Sequence, residues 1–237
     1  MILFGFGKSK TGISRPKVGF STVSEVGKVR AENEDRVFVD FDRLVFCVAD
    51  GIGGGSEGAV ASEMVCANLK MVLYAARDDF SSRVAAVQQA VEEANVEIRE
   101  RALRKGLGVM GSTAAIVVLD PADPRRAAVC NIGDSRVYLI QGGMPRLLTR
   151  DHRKEDSNTL TRAIGCTPEV DAEWREVEAN AGARFLLCTD GVHDVLADSR
   201  IAVFAAGGTV DSAAKRLSSD VLKHGAPDNF SFVLISV

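Results

Sequence analysis

The sequence predicts an α+β fold, a four-layer α-β-β-α sandwich in which two packed, mainly antiparallel sheets lie between two pairs of helices. Short apolar runs of strand length recur along the chain, two helical stretches follow the first runs, and two shorter ones precede the last. Antiparallel strands with paired helices bury their apolar faces as stacked layers. The chain of 237 residues shows no linker, so residues 17–237 are predicted to form a single domain.

Three strands and two helices are predicted in the first half of the chain. The strands are apolar runs at residues 18–22, 37–39 and 44–48. In residues 57–76 few polar residues interrupt the apolar pattern, as expected of a helix packed on a sheet. A second helix has apolar residues at three-to-four spacing, with Ser81 or Ser82 as its N-cap and Gly106 as its stop.

From Gly111 onwards the apolar period changes from that of a helix to that of a strand. An antiparallel meander is predicted over residues 112–119, 127–132, 136–140 and 146–149. The remaining predicted elements are an outer strand at 170–178, a buried strand at 183–189, helices near 198–206 and 210–224, and a last strand at 230–237.

Aspartates stand at the ends of three predicted strands. Asp50 ends an apolar run and precedes a glycine cluster, Asp190 ends another run, and Asp228 comes just before the last strand. Neighbouring antiparallel strands end and begin at the same sheet edge, so these carboxylates can converge. A hard divalent cation would relieve their repulsion, and oxygen ligands favour Mg²⁺ or Mn²⁺ over Zn²⁺. For each aspartate taken alone, an ordinary Asp-Gly turn is the alternative.

Composition excludes some classes of partner and indicates a compartment. The net charge of −3 and the dispersed Lys and Arg residues give no indication of nucleic acid binding or membrane insertion. Five cysteines without CxxC spacing predict reduced core thiols in a cytoplasmic protein. The N-terminus places its apolar residues before its lysines, the reverse of a signal peptide, so residues 1–16 are predicted to be a flexible lead-in.

Eight short motifs follow one another along the chain. They are RAENED (30–35), VADGIGG (48–54), GST (111–113), NIGDSR (131–136), LTRDH (148–152), LTRAIG (160–165), CTDGVHD (188–194) and DN (228–229). Any one of them is weak evidence, but the ordered set resembles the metal-dependent PPM family. The chain is thus similar to bacterial protein phosphatase 2C-like serine/threonine phosphatases.

The resemblance implies a site for two Mn²⁺ or Mg²⁺ ions, with a weaker third. Asp50 would bridge the two ions, and the carbonyl of Gly51 would bind the second. Asp190 and Asp228 would complete the first ion's ligands, so Asp50, Asp190 and Asp228 are the expected catalytic residues.

Four further positions are assigned by the same resemblance. Glu34 and Asp35 would hold metal-bound waters, and Asp134 would bind the third ion together with Asp190. Arg30 would grip the substrate phosphate.

The implied reaction is hydrolysis of phosphoserine or phosphothreonine on proteins. A hydroxide bridging the metals would attack phosphorus in line, without a covalent phosphoenzyme. The expected partners are phosphorylated proteins, including a cognate bacterial serine/threonine kinase and its substrates, and the chain is expected to be a monomer.

Two departures from the family's pattern leave questions open. Ile52 stands where many members have a histidine proposed as general acid; His193, near the expected metals, is a candidate for that role. Residues 153–159 are all that remains of a longer flap, which predicts an open site with broader access for protein substrates.

Two alternative functions match parts of the sequence. Cys130 and Arg136 have the spacing of a cysteine-dependent phosphatase loop, but the residues after them read as a strand where that loop needs a helix. The other alternative is a degenerate, catalytically weak family member that acts as a phosphoprotein-binding signalling module.

Overall fold

Two sheets and five helices make up the computed structural model, which describes residues 3–5, 18–53, 56–155, 157 and 159–237. The strands are β1 (Leu3–Gly5), β2 (Gly19–Glu25), β3 (Asp35–Asp40), β4 (Val45–Ile52), β5 (Gly111–Ser112), β6 (Ala114–Leu119), β7 (Arg126–Ile132), β8 (Arg136–Gln141), β9 (Met144–Leu147), β10 (Glu173–Glu178), β11 (Arg184–Cys188) and β12 (Phe230–Ser236). The helices are α1 (Ser56–Ala75), α2 (Phe80–Lys105), α3 (Asp190–His193), α4 (Asp198–Ala206) and α5 (Val210–Lys223).

Each sheet has six strands. The first has the order β1-β2-β12-β11-β8-β9, and the second has the order β10-β7-β6-β4-β3 with β5 paired to β4. The pairings within both sheets are antiparallel. The predicted α+β fold class is therefore confirmed.

Three hydrophobic cores separate four layers, and strand β4 shows why. Val45, Cys47 and Ala49 pack in the core beneath α1 and α2, whereas Phe46 and Val48 pack between the two sheets. Successive side chains of a strand point to opposite faces, so a strand buried on both faces is apolar throughout. A third core joins the outer face of the first sheet to α3, α4 and α5.

The ends of helix α2 correct one prediction and confirm another. The N-cap is Asp79, not Ser81 or Ser82: its Oδ1 accepts a hydrogen bond of 2.9 Å from the backbone N–H of Ser82. Asp79 satisfies the free backbone amide of Ser82, so the predicted serines lie inside the first turn and not at the cap. Gly106 ends the helix in the left-handed conformation, with φ of 66°.

The predicted meander over residues 112–149 is wrong, because the chain changes sheets within it. Strands β6 and β7 pair in the second sheet, whereas β8 and β9 pair in the first. The change occurs at the turn of residues 133–135, where Gly133 has φ of 99°. This crossing brings Asp134 to one end of the sandwich, between the two sheets.

The N-terminal lead-in predicted for residues 1–16 lies mostly outside the described residues. Residues 3–5 form β1, which pairs with β2 at the edge of the first sheet. None of the helices in the described part of the chain has both the length and the apolar character that a membrane span requires.

Asn95 joins helix α2 to the loop after the LTRAIG motif, and its removal should destabilise the fold. The buried side chain accepts a hydrogen bond of 2.7 Å from the N–H of Gly165 and donates to the carbonyl of Thr167 at 3.1 Å. We expect Asn95→Ala to lower the free energy of unfolding by about 1–3 kcal/mol, because buried polar groups lose their partners. Urea unfolding measures this. The exposed Gln89→Ala on the same helix is the control and should change it by less than about 0.5 kcal/mol.

Candidate metal centre

The expected metal-binding acids come from both sheets and meet at one end of the sandwich. Asp50 lies on β4 of the second sheet, whereas Asp190 follows β11 and Asp228 precedes β12 of the first. The expectation that a single sheet edge collects them is therefore wrong. They converge because the two packed sheets present these strand ends to each other, with β12 lying against β3 and β4.

Asp50 is held by its backbone, which leaves its carboxylate available. Its N–H donates to Thr113 Oγ1 at 2.9 Å, and its carbonyl accepts from the N–H of Thr113 at 2.8 Å. Thr113 Oγ1 also lies 2.7 Å from Ser135 Oγ, next to Asp134. The GST motif therefore ties together the two strand ends that carry Asp50 and Asp134.

Gly51 and Gly58 meet at a contact that admits no side chain on either residue. A Cβ on Gly51 would lie 1.9 Å from the carbonyl oxygen of Gly58. A Cβ on Gly58 would lie 2.7 Å from Glu34 Oε2 and 2.9 Å from the carbonyl oxygen of Gly51. The absence of Cβ atoms thus leaves room beside the carbonyl of Gly51, an expected ligand, and beside Glu34, which would hold a metal-bound water.

Asn229 fixes the loop that carries Arg30 and Glu34. Its Nδ2 donates to the carbonyls of Val26 and Glu32 at 2.9 Å, and its Oδ1 accepts from the N–H of Glu34 at 2.9 Å. The DN motif is part of the family resemblance, but the sequence alone predicts no role for this asparagine. The side chain of a residue at the start of β12 therefore positions a loop almost 200 residues earlier in the chain.

Asp35 is 2% exposed and accepts a hydrogen bond of 2.8 Å from Thr189 Oγ1. Thr189 immediately precedes Asp190, at the start of α3. The next residue, Gly191, lies so close to β12 that a Cβ would be 1.9 Å from the carbonyl oxygen of Asn229. The CTDGVHD motif thus needs a threonine and a glycine to bring its strand end against the other acids.

Burial and mutual repulsion raise the pKa values of these acids. Burial, with the nearby carboxylates of Asp190 and Asp228, raises the pKa of Asp35 to about 7. Burial and the carboxylates of Asp134 and Asp228 raise the pKa of Asp190 to about 6. Burial and neighbouring acids raise the pKa of Asp50 well above its ordinary value of 3.8.

The donor set fits divalent cations that prefer oxygen ligands. Carboxylates and a glycine carbonyl face one another with little basic compensation, and no thiol or imidazole is needed to complete the set. Among the described residues, no three acidic, thiol or imidazole side chains form a preassembled cluster. The carboxylate of Asp228 instead accepts a hydrogen bond of 2.7 Å from Arg30 Nη2.

Asp134, His152 and His193 occupy a supporting layer beside this centre. His152 is buried and holds the turn before Asp134, since its Nδ1 accepts from the N–H of Gly133 at 3.2 Å. His193 is also buried, with Nε2 lying 3.0 Å from the carbonyl oxygen of Asp134 and Nδ1 3.2 Å from Asp194 Oδ1. His193 therefore braces the loops around Asp134.

The cysteine alternative does not fit the structure. Cys130 is fully buried in β7, and burial raises the pKa of its thiol far above the ordinary value of 9.0. Arg136 begins strand β8 and forms two hydrogen bonds to Asp151, at 2.9 and 2.7 Å. Without a thiolate or a helix N-terminus, these two residues cannot form a phosphate-binding loop.

Known proteins resemble this chain over most of its length. The family model of protein phosphatase 2C matches residues 28–224. Serine/threonine protein phosphatase PstP of Mycobacterium tuberculosis is 31% identical over 240 residues, which cover 92% of this chain and 45% of PstP. The chain thus spans a little under half the length of that relative.

Two solved structures share the fold. PppA, described as a key regulatory component of T6SS in Pseudomonas aeruginosa, has a TM-score of 0.87 and 27% identity, covering 94% of this chain and 98% of its own. The catalytic domain of PstP in complex with two manganese ions has a TM-score of 0.79 and 30% identity, covering 92% of this chain and 97% of its own.

The raised pKa values predict how the metal-free protein responds to pH. Asp35 and Asp190 bind protons more tightly in the fold than in the unfolded chain, where the pKa is 3.8. The stability contributed by these protons is complete below that value and is lost as pH rises through about 6 and about 7. We therefore expect urea unfolding in EDTA to show lower stability near pH 8 than near pH 5.5.

Asp35→Asn should reduce this pH dependence. Saturating Mn²⁺ should remove the part contributed by Asp190, because metal ligands bind deprotonated. A metal-free protein whose stability rises over the same interval would contradict the arrangement of acids described above.

Gly58→Ala tests whether the space beside Gly51 serves the ligands. The added methyl would press on the carboxylate of Glu34 and the carbonyl of Gly51, so Mn²⁺ binding should weaken by about tenfold or more. The higher helix propensity of alanine offsets part of the cost of this close contact, and circular dichroism checks that the variant folds. Calorimetric titration measures the binding. Gly108→Ala is the control, since its methyl would meet no atom within 4 Å and binding should stay unchanged.

Proposed function

The chain belongs to the protein phosphatase 2C family, and from that premise we propose that it hydrolyses phosphoserine and phosphothreonine on proteins with two divalent cations, Mn²⁺ or Mg²⁺. Asp50 would bridge the ions, the carbonyl of Gly51 would bind the second, and Asp190 and Asp228 would complete the first. Glu34 and Asp35 would act through water. When bound, such ions lower the pKa of a coordinated water and neutralise the phosphoryl oxygens.

The observation that carries this proposal is the convergence of acids whose pKa values are raised by burial and by one another. Asp50 is influenced by four other carboxylates, those of Asp35, Asp190, Asp134 and Asp228. Groups in a purely structural network would be paired with basic side chains instead. Cations supplied from solution are the simplest source of the missing positive charge.

Arg30 is suited to bind the substrate phosphate. Its side chain is 55% exposed, and Nη2 donates to Asp228 at 2.7 Å. A guanidinium presents further N–H donors in a planar fork that matches phosphate oxygens. Arg30 would therefore anchor the phosphate at the rim of the centre while Asp228 turns towards a cation.

The surroundings of the centre support an open protein-substrate site. Ile52 carries no proton, so protonation of the leaving group must come from water or from another group. The bridge between Arg153 and Leu160 brings the backbone together across a short segment of the chain. We propose that large phosphoproteins approach from this side.

The proposed setting is bacterial signalling. The partners would be phosphorylated proteins, including a cognate serine/threonine kinase and its substrates, and the chain would act as a cytoplasmic monomer. PstP, which is named a serine/threonine protein phosphatase, supports the reaction and leaves the substrate to be identified.

Hydrolysis of a phosphothreonine peptide tests the reaction. We expect Mn²⁺-dependent phosphate release that EDTA abolishes and that Asp50→Asn lowers by at least about 100-fold, because loss of a bridging ligand costs more than loss of a supporting group. Cys130→Ser is the control and should retain activity. Activity that survives EDTA and is lost with Cys130→Ser would overturn the metal mechanism. Tight Mn²⁺ binding without hydrolysis would instead favour a phosphoprotein-binding module.

A further inference from the structure

Arg153 lies on the short hairpin beside the proposed centre, and the backbone fixes its position. It forms an isolated β-bridge with Leu160, and the N–H of Thr161 donates to the carbonyl of His152 at 2.7 Å. The N–H of Lys154 donates to the carbonyl of Thr159 at 3.0 Å. The side chain of Arg153 is 24% exposed and is directed at acids.

The guanidinium of Arg153 is shared among carboxylates. Nη1 and Nη2 each lie 3.2 Å from an oxygen of Asp194. Nη1 also lies 3.8 Å from Asp134 Oδ2, and Nε lies 3.7 Å from Asp151 Oδ2. One cation therefore contacts three acids from three different loops.

Asp134 depends on this arginine for positive charge. Its side chain is 7% exposed, and Arg153 is its ion-pair partner among the described residues. Asp151, by contrast, is already bound by Arg136 through two hydrogen bonds. His193 approaches the backbone carbonyl of Asp134 rather than its carboxylate. Arg153 is thus a permanently charged partner of this buried carboxylate, and the nearby His193 also favours its charged form.

A third metal ion at Asp134 does not fit this arrangement. Asp194 follows Asp190 by one helical turn, and its N–H donates to the carbonyl of Asp190 at 2.8 Å. An ion held by Asp134 and Asp190 would therefore lie beside Asp194, where the guanidinium already is. Such an ion would have to displace Arg153 or bind next to its positive charge.

We propose that Arg153 takes the place of a third metal ion, acting as a fixed cation between Asp134 and Asp194, so that the protein binds two divalent ions and not three. This inference rests on the proposed two-metal function. Arg153 is accordingly a positioning residue: it neutralises Asp134 and ties the short hairpin to the loop after α3.

Mn²⁺ stoichiometry tests this independently of activity. The full chain, stripped with EDTA, is titrated with Mn²⁺ into the millimolar range and the bound ions are counted by calorimetry and by the electron paramagnetic resonance of free Mn²⁺. We expect two ions for the wild type and three for Arg153→Gln, the third binding at least about tenfold more tightly than any third ion in the wild type. Lys154→Gln is the matched control, since it removes the same charge from the exposed neighbouring residue, and it should bind two.

The double variant Arg153→Gln with Asp134→Asn should bind two ions again, which places the third ion at Asp134. Three ions in the wild type, two in Arg153→Gln, or three in the double variant would each overturn the proposal. If Arg153→Gln fails to fold, the ion counts of the wild type and of Asp194→Asn still test the proposal. Two ions in both proteins support the proposal, and three ions in the wild type overturn it. A wild type that binds two ions while Arg153→Gln also binds two refutes only this inference, whereas a wild type that binds none refutes the proposed function as well.

Discussion

Repulsion among carboxylates gathered at one end of the sandwich is the constraint on which the rest of the structure depends. Asp35, Asp50 and Asp190 keep raised pKa values because burial withdraws them from water and each lies near the others. An arrangement of this kind costs folding free energy in the absence of cations. The hydrophobic cores on both sides of each sheet supply the stability that offsets it.

The acids are held in place mainly by neutral groups. Hydroxyls of Thr113 and Thr189, the amide of Asn229 and close contacts at glycines position the strand ends and loops. Fixing a carboxylate through its backbone or through a hydroxyl leaves much of its charge uncompensated. Divalent cations can then bind these carboxylates, and the substrate phosphate can bind the cations. The ion pair of Arg30 with Asp228 is the exposed exception, and it lies where substrate would arrive.

On the side of the centre near Asp134, arginine side chains of the protein supply the positive charge. Arg153 reaches acids from three loops, and Arg136 neutralises Asp151. The side of the centre near Asp134 is thus compensated by protein cations, while the side near Asp50 is left to ions from solution. This asymmetry gives a physical basis for the proposed binding of two ions rather than three.

The sequence by itself determined the fold class, most element positions and the candidate acids. Apolar runs, helical spacing and strand-end aspartates are local signals, and helix α4 lies within the predicted bounds, Asp198–Ala206. Only the tertiary structure decided which sheet each strand joins, that Asp79 and not a serine caps α2, and that Asn229 and Arg153 position distant loops. These outcomes depend on contacts between residues far apart in the chain, and no local period records which strand ends will meet.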